Sequence, residues 1–541
     1  MLPKFSDFES KRQNILIVSV SLLLMAIWYI KSPFGSLWLN AGDAWSDGAL
    51  LTLRDNMKRI PWHKTVFFPV YGIVGTVDSI SRTPWRGYSF FYTHWPAGPD
   101  WVTFGLDRLG ISSLAGKQGV MVSLSYIGLA FWARVWSRWS EPKLGAMYFG
   151  IAGLSYWFLS YSTTLMGWLP YVAFLSGLQL WLWTMPGDWG WRRLVGAWML
   201  LFLTSLFALQ VLAWSAVVSG GLVLYRLSNL TWKRWLSLMT APAAGIGSHY
   251  VRLYMLLGKS GLEELSDTVS TRGQWFQYLA SLDFYVLLAL RMEYYVGIGI
   301  IVLIIAYCSD LVIRGRHFEI PKFTYLWGIT SVGGIAYWLV LPQGTFGHPG
   351  TIVLPALAQT ALWARLLSEG LRLSFISPRA NVVVAAFCVL GLLSRLGIGY
   401  FNQIVPIPNT LAKHPVSGVC ATDGVMVPAV EALLGVPCPN VGAGRWGGDN
   451  LSWQLEGCQG KIREGVFVHF SHVPRVNLPG LDRLYMVYDR WRSPNGQNLG
   501  SWASDSYRVP GQPDVPMLWR DGPVSAYAPV YYCVKRSHAL W

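Results

Sequence analysis

The sequence predicts an α-helical polytopic membrane protein of about eleven transmembrane helices, followed by a C-terminal extracytoplasmic soluble domain of mixed α/β or β-rich type. Three observations carry this expectation. Of 541 residues, 53% are hydrophobic and only 13% charged, where soluble domains carry about 25% charged residues. The 30 Trp, 26 Tyr and 24 Phe suit the aromatic belts at both faces of a bilayer. Apolar runs of spanning length alternate with short segments holding Lys and Arg. The net charge of +15 is scattered through those segments and accompanies no nucleic-acid-binding motif. It reads as cytoplasmic loop charge, and nucleic acid is excluded as a partner.

The first span is expected over 14–31. Lys4, Lys11 and Arg12 precede it and no small-residue cleavage site follows, so it reads as uncleaved with a cytoplasmic N-terminus. Residues 32–115 form a long first outer loop. Its apolar pieces 65–77 and 87–95 are too short to span and are expected as helices on the membrane surface. Further spans fall near 116–134, 144–161 and 168–185, with Arg134, Arg138, Lys143, Arg192 and Arg193 at their cytoplasmic ends and a short outer turn at 162–167.

Residues 194–225 form one apolar run of 32. A single helix of that length exceeds the ~20 residues a bilayer needs. It would also place Arg226, Lys233 and Arg234 outside, against the charge rule. The run is therefore expected as a tight hairpin of two short spans turning near Gln210. Spans at 235–257, 293–313, 323–341, 351–368 and 380–400 follow, with a second outer loop at 258–290. The division is a transmembrane domain over 1–400 and an extracytoplasmic domain over 401–541.

Six cysteines are present. Cys308 and Cys388 sit in apolar runs and are expected as inert packing residues. Cys420, Cys438, Cys458 and Cys533 fall in the tail. An even number in an oxidising compartment suits two disulfides, with three pairings open. The odd span count independently places the tail in that compartment.

The candidate chemistry begins at 42–48, Gly-Asp-Ala-Trp-Ser-Asp-Gly. Asp43 and Asp47 lie four apart, on one face if helical. Such a pair can remove a proton from an acceptor hydroxyl or hold a divalent metal; acids here can also cap a surface helix. His94, in Tyr92-Thr93-His94-Trp95-Pro96-Ala97-Gly98-Pro99, is a titratable group in a rigid turn, suited to substrate contact or to anchoring the interface. His249 and Arg252 fall in the 235–257 span, where ionisable groups face a cavity or a partner. Arg252 can hold a phosphate by charge-assisted bonds or snorkel to the interface. Arg272 and Arg291 are further phosphate contacts, and His348 a further substrate contact. His469 and His472 lack a third metal ligand. No P-loop, GxSxG element or nucleotide fingerprint occurs, which favours a donor delivered from within the membrane.

With these residues in place, the chain resembles the GT-C superfamily of integral-membrane glycosyltransferases, which includes protein O-mannosyltransferases and aminoarabinose transferases. The resemblance covers about residues 1–400. It rests on the first span, the long outer loop with an early Asp, the short-span hairpin and the second acidic outer loop. The 93–99 piece is similar to the His-Pro-Pro-Gly-type turn of bacterial members. The resemblance implies a polyprenyl-phosphate sugar donor, a glycan, lipid or protein acceptor, membrane lipids as surroundings, and a bacterial inner-membrane location. It implies that Asp43 is the general base, with Asp47 as helper or metal ligand. Many members carry an adjacent acidic pair, whereas Ala44 follows Asp43 here. No cofactor is assigned, and a divalent metal is left open. The alternatives are a polysaccharide polymerase or ligase using a lipid-linked glycan, a non-enzymatic lipid-glycan transporter, or an assembly protein.

Overall fold

The computed structural model describes residues 5–31, 35, 47–48, 50–51, 53, 56, 60, 65–72, 89–91, 97–166, 169–272, 275–297, 299–314, 321–342, 349–369, 377–393, 419–422, 461–470, 506–507, 515–521 and 524–534. The first 400 residues are mostly helical. Helix α1 (Phe5–Lys31) is followed by a two-stranded antiparallel ribbon of β1 (Val70–Gly72) and β2 (Ser89–Phe91), with Val70 opposite Phe91. Next come α2 (Gly98–Arg108), α3 (Leu114–Trp139), α4 (Pro142–Leu154), α5 (Tyr156–Tyr161), α6 (Pro170–Thr184), α7 (Trp191–Phe207), α8 (Leu209–Leu224) and α9 (Trp232–Leu257). The remaining helices are α10 (Lys259–Arg272), α11 (Trp275–Leu279), α12 (Leu282–Tyr295), α13 (Ile300–Arg314), α14 (Lys322–Val340), α15 (Val353–Glu369) and α16 (Pro378–Leu393).

Among the described residues, Lys11–Lys31, Leu114–Trp139 and Lys322–Val340 are long and apolar enough to cross a membrane. Leu209–Leu224, Ile300–Ile313 and Pro378–Leu393 are shorter apolar helices. Outward-facing Ile15, Leu16 and Leu23, each more than 60% exposed on α1, would be unfavourable in water and suit a lipid environment.

The bundle is held by close backbone approaches rather than by apolar burial alone, as expected where lipid is as apolar as the core. Helices α3 and α6 cross at Gly128 and Gly177. A Cβ on Gly128 would lie 2.4 Å from the Ala173 carbonyl carbon, and one on Gly177 would lie 2.4 Å from the Gly128 carbonyl oxygen. Trp132 Nε1 donates to Ser176 Oγ at 3.0 Å beside that crossing.

The apolar run 194–225 folds back on itself as the charge rule demanded, with the break at Ala208 (φ −150°, ψ 86°). Gln179 on α6 reads both arms of the hairpin. Its Nε2 donates to Thr204 Oγ1 on α7 at 2.6 Å, and its Oε1 accepts from Ser215 Oγ on α8. Thr204 and Ser215 are eleven residues apart; in one straight helix they would be separated by about 16 Å, beyond the reach of one amide. Each arm rises only about 25 Å, short of a ~30 Å hydrocarbon core, so the hairpin tip stops inside the bundle.

Four expectations are corrected. Within the pieces 65–77 and 87–95, expected as surface helices, the described Val70–Gly72 and Ser89–Phe91 pair as strands β1 and β2, a state that Val70, Tyr71, Phe90 and Phe91 favour. The 144–161 span is broken at Ser155 (ψ 143°), whose Oγ donates to Ala152 O at 2.6 Å. The 258–290 loop is largely helical, and the helix expected at 293 starts at Ile300 after Gly297 and Gly299, both at positive φ. Cys308 is exposed on the outer face of α13 rather than packed inside. Cys388 lies in α16.

The tail strands β3 (Val419–Thr422), β4 (Lys461–Phe470), β5 (Ser506–Tyr507), β6 (Val515–Asp521) and β7 (Val524–Val534) form a five-stranded sheet in the order β3-β4-β7-β6-β5. Strand β3 runs parallel to β4, and the remaining neighbours are antiparallel. Cys420 aligns with Val466 and Cys533 with Ile462, on opposite sides of β4. Their Cα atoms are therefore about 16 Å apart, too far for a disulfide. Of the three pairings, Cys420–Cys533 is eliminated. Cys438 and Cys458 lie outside the described residues.

Candidate active site

The hairpin tip is the floor on which the charged residues of the first half collect. Helix α2 begins there. Pro99 at its start pre-sets the backbone for a first turn. Gly98 lets that turn touch the tip: a Cβ at this position would lie 2.3 Å from the Leu206 carbonyl oxygen and 2.7 Å from the Phe207 ring. The contact fixes where Asp100 and Trp101 are presented, and these successive residues lead to two poles of opposite charge.

The first pole is acidic. Asp100 is 2% exposed and Asp47 5% exposed. Asp47 Oδ1 accepts a bond from the Leu165 backbone N–H at 2.7 Å. That amide belongs to the buried polar turn Ser162-Thr163-Thr164-Leu165, which leads into α6. In the same turn Thr164 Oγ1 donates to Tyr161 O at 2.8 Å, and Ser162 Oγ shares a 2.5 Å bond with the Tyr29 hydroxyl at the end of α1. Both carboxylates lie within electrostatic range of Tyr171, on the first turn of α6. Tyr171 packs its ring 5.2 Å from that of Phe207 on the hairpin tip. With one oxygen taken by a fixed backbone N–H, Asp47 suits electrostatic or orienting work.

The second pole is cationic. The Arg252 guanidinium carbon lies 5.0 Å from the Trp101 ring centroid and 5.2 Å from that of Phe68. Cation–π attraction holds it between the two rings. Its Nε donates to Ser248 O at 3.4 Å, while Nη1 and Nη2 are buried with no hydrogen-bond partner among the described residues. Trp101 Nε1 donates to Phe67 O at 3.1 Å, which ties α2 to the turn bearing Phe68. That turn is strained: Val66 has φ 48° and Phe67 φ 64°, values costly for residues with a Cβ, the more so for a β-branched one. Asn56 Nδ2 braces it by donating to Val70 O at 2.7 Å. The His249 ring lies 5.3 Å from Phe68, so His249 belongs to this pole.

Below the acidic pole, Lys117 Nζ meets Asp107 Oδ2 at 3.0 Å, with side chains 1% and 7% exposed. This buried pair pins the far end of α2 to α3. Gln118 Oε1 accepts the Gly35 N–H at 2.7 Å and secures the start of the first loop beside it.

Of the residues singled out from sequence, the structure locates Asp47 in the acidic pole and Arg252 in the cationic one. Arg272 is the last residue of α10, and its side chain lies outside what is described. Asp43, His94 and His348 also lie outside the described residues. Arg291 is 2% exposed on α12. Asp100 and Tyr171 were missed. Asp100 directly follows the 92–99 piece, and an acid just after Pro99 carries the ordinary signal of a helix first turn. Only the buried approach at Gly98 gives it another meaning. Among the described residues no three His, Cys, Asp or Glu side chains converge as a metal site.

No family model matches the chain, and no curated protein matches it. Among solved structures it is similar to two proteins over most of its length. One is ArnT from Cupriavidus metallidurans bound to undecaprenyl phosphate, 14% identical, covering 95% of this chain and 98% of that one with a TM-score of 0.48. The apo state of the same protein is 15% identical, covers 96% of this chain and 98% of that one, and has a TM-score of 0.47. The oligosaccharyltransferase of Archaeoglobus fulgidus, tethered with an acceptor peptide, is 9% identical, with 80% and 64% coverage and a TM-score of 0.41.

Proposed function

We propose that this protein is a membrane glycosyltransferase that moves a sugar from a polyprenyl-phosphate carrier to an acceptor hydroxyl at the extracytoplasmic face. The observation that carries the reading is the bipolar site built on α2. Asp100 and Asp47 are buried carboxylates that both lie within electrostatic range of Tyr171, and the adjacent Trp101 shelters an arginine whose Nη1 and Nη2 have no hydrogen-bond partner among the described residues. A phosphate is repelled from the first pole and drawn to the second. A hydroxyl that must lose a proton suits the first. The absence of nucleotide motifs in the sequence supports a lipid-borne donor, as does the GT-C resemblance.

In this reading the phosphate of the donor lies at Arg252, with Arg272 as a second cation. The acceptor oxygen attacks the anomeric carbon from the face opposite the phosphate. The C–O bond to phosphate breaks as the new C–O bond forms, and the anomeric configuration inverts. The acceptor proton passes to Asp43, the general base implied by the resemblance, while Asp47 and Asp100 orient the nucleophile and stabilise positive charge developing at the anomeric carbon. Arg252 offsets the charge accumulating on the departing phosphate. His94 and His348 are further substrate contacts. Were a divalent cation bound, Asp47 would be a residue to hold it, and it would supply positive charge to the departing phosphate.

The test is transfer from radiolabelled undecaprenyl-phosphoryl sugars by the full-length protein in nanodiscs. Asp43→Asn, Asp47→Asn and Asp100→Asn are expected to fold and to lose transfer, Asp43→Asn the most. Near-normal turnover in Asp43→Asn would remove it as the base. Near-normal turnover in all three would sink the proposed function.

A further inference from the structure

The Tyr171 hydroxyl is a polar group for which the roles proposed above give no use. The residue is 4% exposed, and the oxygen is buried with no hydrogen-bond partner among the described residues. Almost every buried hydroxyl in a folded protein is satisfied, so an orphan invites an explanation. A phenylalanine would fill the same place without leaving a buried polar atom unpaired.

Its position is set by packing on three sides. The ring lies 5.2 Å from Phe207, in the hairpin tip that Gly98 touches. It lies on the first turn of α6, six residues after the Leu165 amide that holds Asp47. Asp100 and Asp47 both act on it electrostatically. The hydroxyl therefore faces an acidic locality with its hydrogen unspent.

We propose that Tyr171 is a substrate-binding residue that recognises a sugar-type hydroxyl at the carboxylate pole, donating its own O–H to that hydroxyl's oxygen. The inference rests on the transferase reading above. The chemistry of the place selects the ligand group. Two carboxylates disfavour an anion, and the phosphate already has its pole at Arg252. An uncharged hydroxyl can accept the phenol's hydrogen and leave its own hydrogen for a carboxylate. Such a hydroxyl can belong to the sugar of the donor or to the acceptor. Tyr171 contributes to discrimination in either case, because a ligand lacking that hydroxyl leaves the phenol unpaired in the complex.

The experiment uses full-length Tyr171→Phe in nanodiscs with three readings. Removing an unsatisfied hydroxyl is expected to leave the apo melting temperature unchanged or raised. Binding of undecaprenyl phosphate alone, which carries no sugar, is expected to match wild type. Affinity for an undecaprenyl-phosphoryl hexose or pentose is expected to fall about two- to tenfold if the donor sugar is read. If the acceptor is read, acceptor KM rises by that factor with donor affinity intact. A lowered apo melting temperature with unchanged sugar affinity and unchanged acceptor KM would overturn the proposal and leave Tyr171 a structural residue. Failure of the wild-type protein to bind undecaprenyl phosphate would instead overturn the transferase reading.

Discussion

Replacing Gly98 with alanine tests whether the hairpin tip positions the chemistry. A Cβ there would meet the Leu206 carbonyl oxygen at 2.3 Å and the Phe207 ring at 2.7–2.8 Å. The nearest atom belongs to backbone, so no side chain can rotate away and relieve the contact. Restoring ordinary separation moves the start of α2 from the tip by about 1 Å, carrying Asp100 and Trp101 with it. Over-packing of this kind costs about 1–3 kcal/mol, and a ~1 Å misplacement of reacting groups can lower turnover by about 10²-fold. Gly98→Ala should therefore retain insertion, lose a few degrees of melting temperature and lose about two orders of magnitude in transfer. The assay is single-turnover transfer in nanodiscs beside a thermal melt. Wild-type turnover in a variant that melts normally would refute the claim that this contact sets the site.

Other outcomes follow from the same geometry. Arg252→Lys keeps the charge but loses the flat fork that fits between Phe68 and Trp101, so it should recover only part of the undecaprenyl phosphate affinity lost in Arg252→Ala; full recovery, read by a binding isotherm, would argue for a simple point charge. Lys117→Met leaves the Asp107 carboxylate buried without its cation and should destabilise by about 3–5 kcal/mol, whereas Lys117→Met with Asp107→Leu should return close to wild type. Thermal melts of the two variants check this, and equal melting temperatures would contradict the pairing. Gly128→Val drives a side chain into the α6 backbone and should prevent stable assembly of the bundle, seen as loss of a monodisperse peak on size exclusion.

The helical half of this fold was largely legible in the sequence. The hairpin shows why. The length of the 194–225 run and the charges at Arg226, Lys233 and Arg234 both disallowed a single span, and the break came at Ala208, two residues from the expected Gln210. The first outer loop was less legible. Strands of three residues are too short to show a period, so β1 and β2 read as surface helices. Helix breaks at Ser155 and Gly297 were hidden inside apolar runs, where hydropathy carries no signal of conformation. For the site, Asp47 and Arg252 stood out as ionisable groups in apolar surroundings. Asp100 and Tyr171 did not, because their meaning comes from a tertiary approach at Gly98 that no local pattern encodes.

The central claim is that binding of the lipid phosphate and chemistry at the acceptor belong to separate poles. Undecaprenyl phosphate binding, measured by one isotherm each for wild type, Arg252→Ala, Asp47→Asn and Asp100→Asn, tests it most directly. The account predicts about 10- to 150-fold weaker binding in Arg252→Ala, from loss of a charge-assisted contact, and binding equal to or tighter than wild type in the two Asn variants. Equal losses in all three variants, or full affinity in Arg252→Ala, would contradict it.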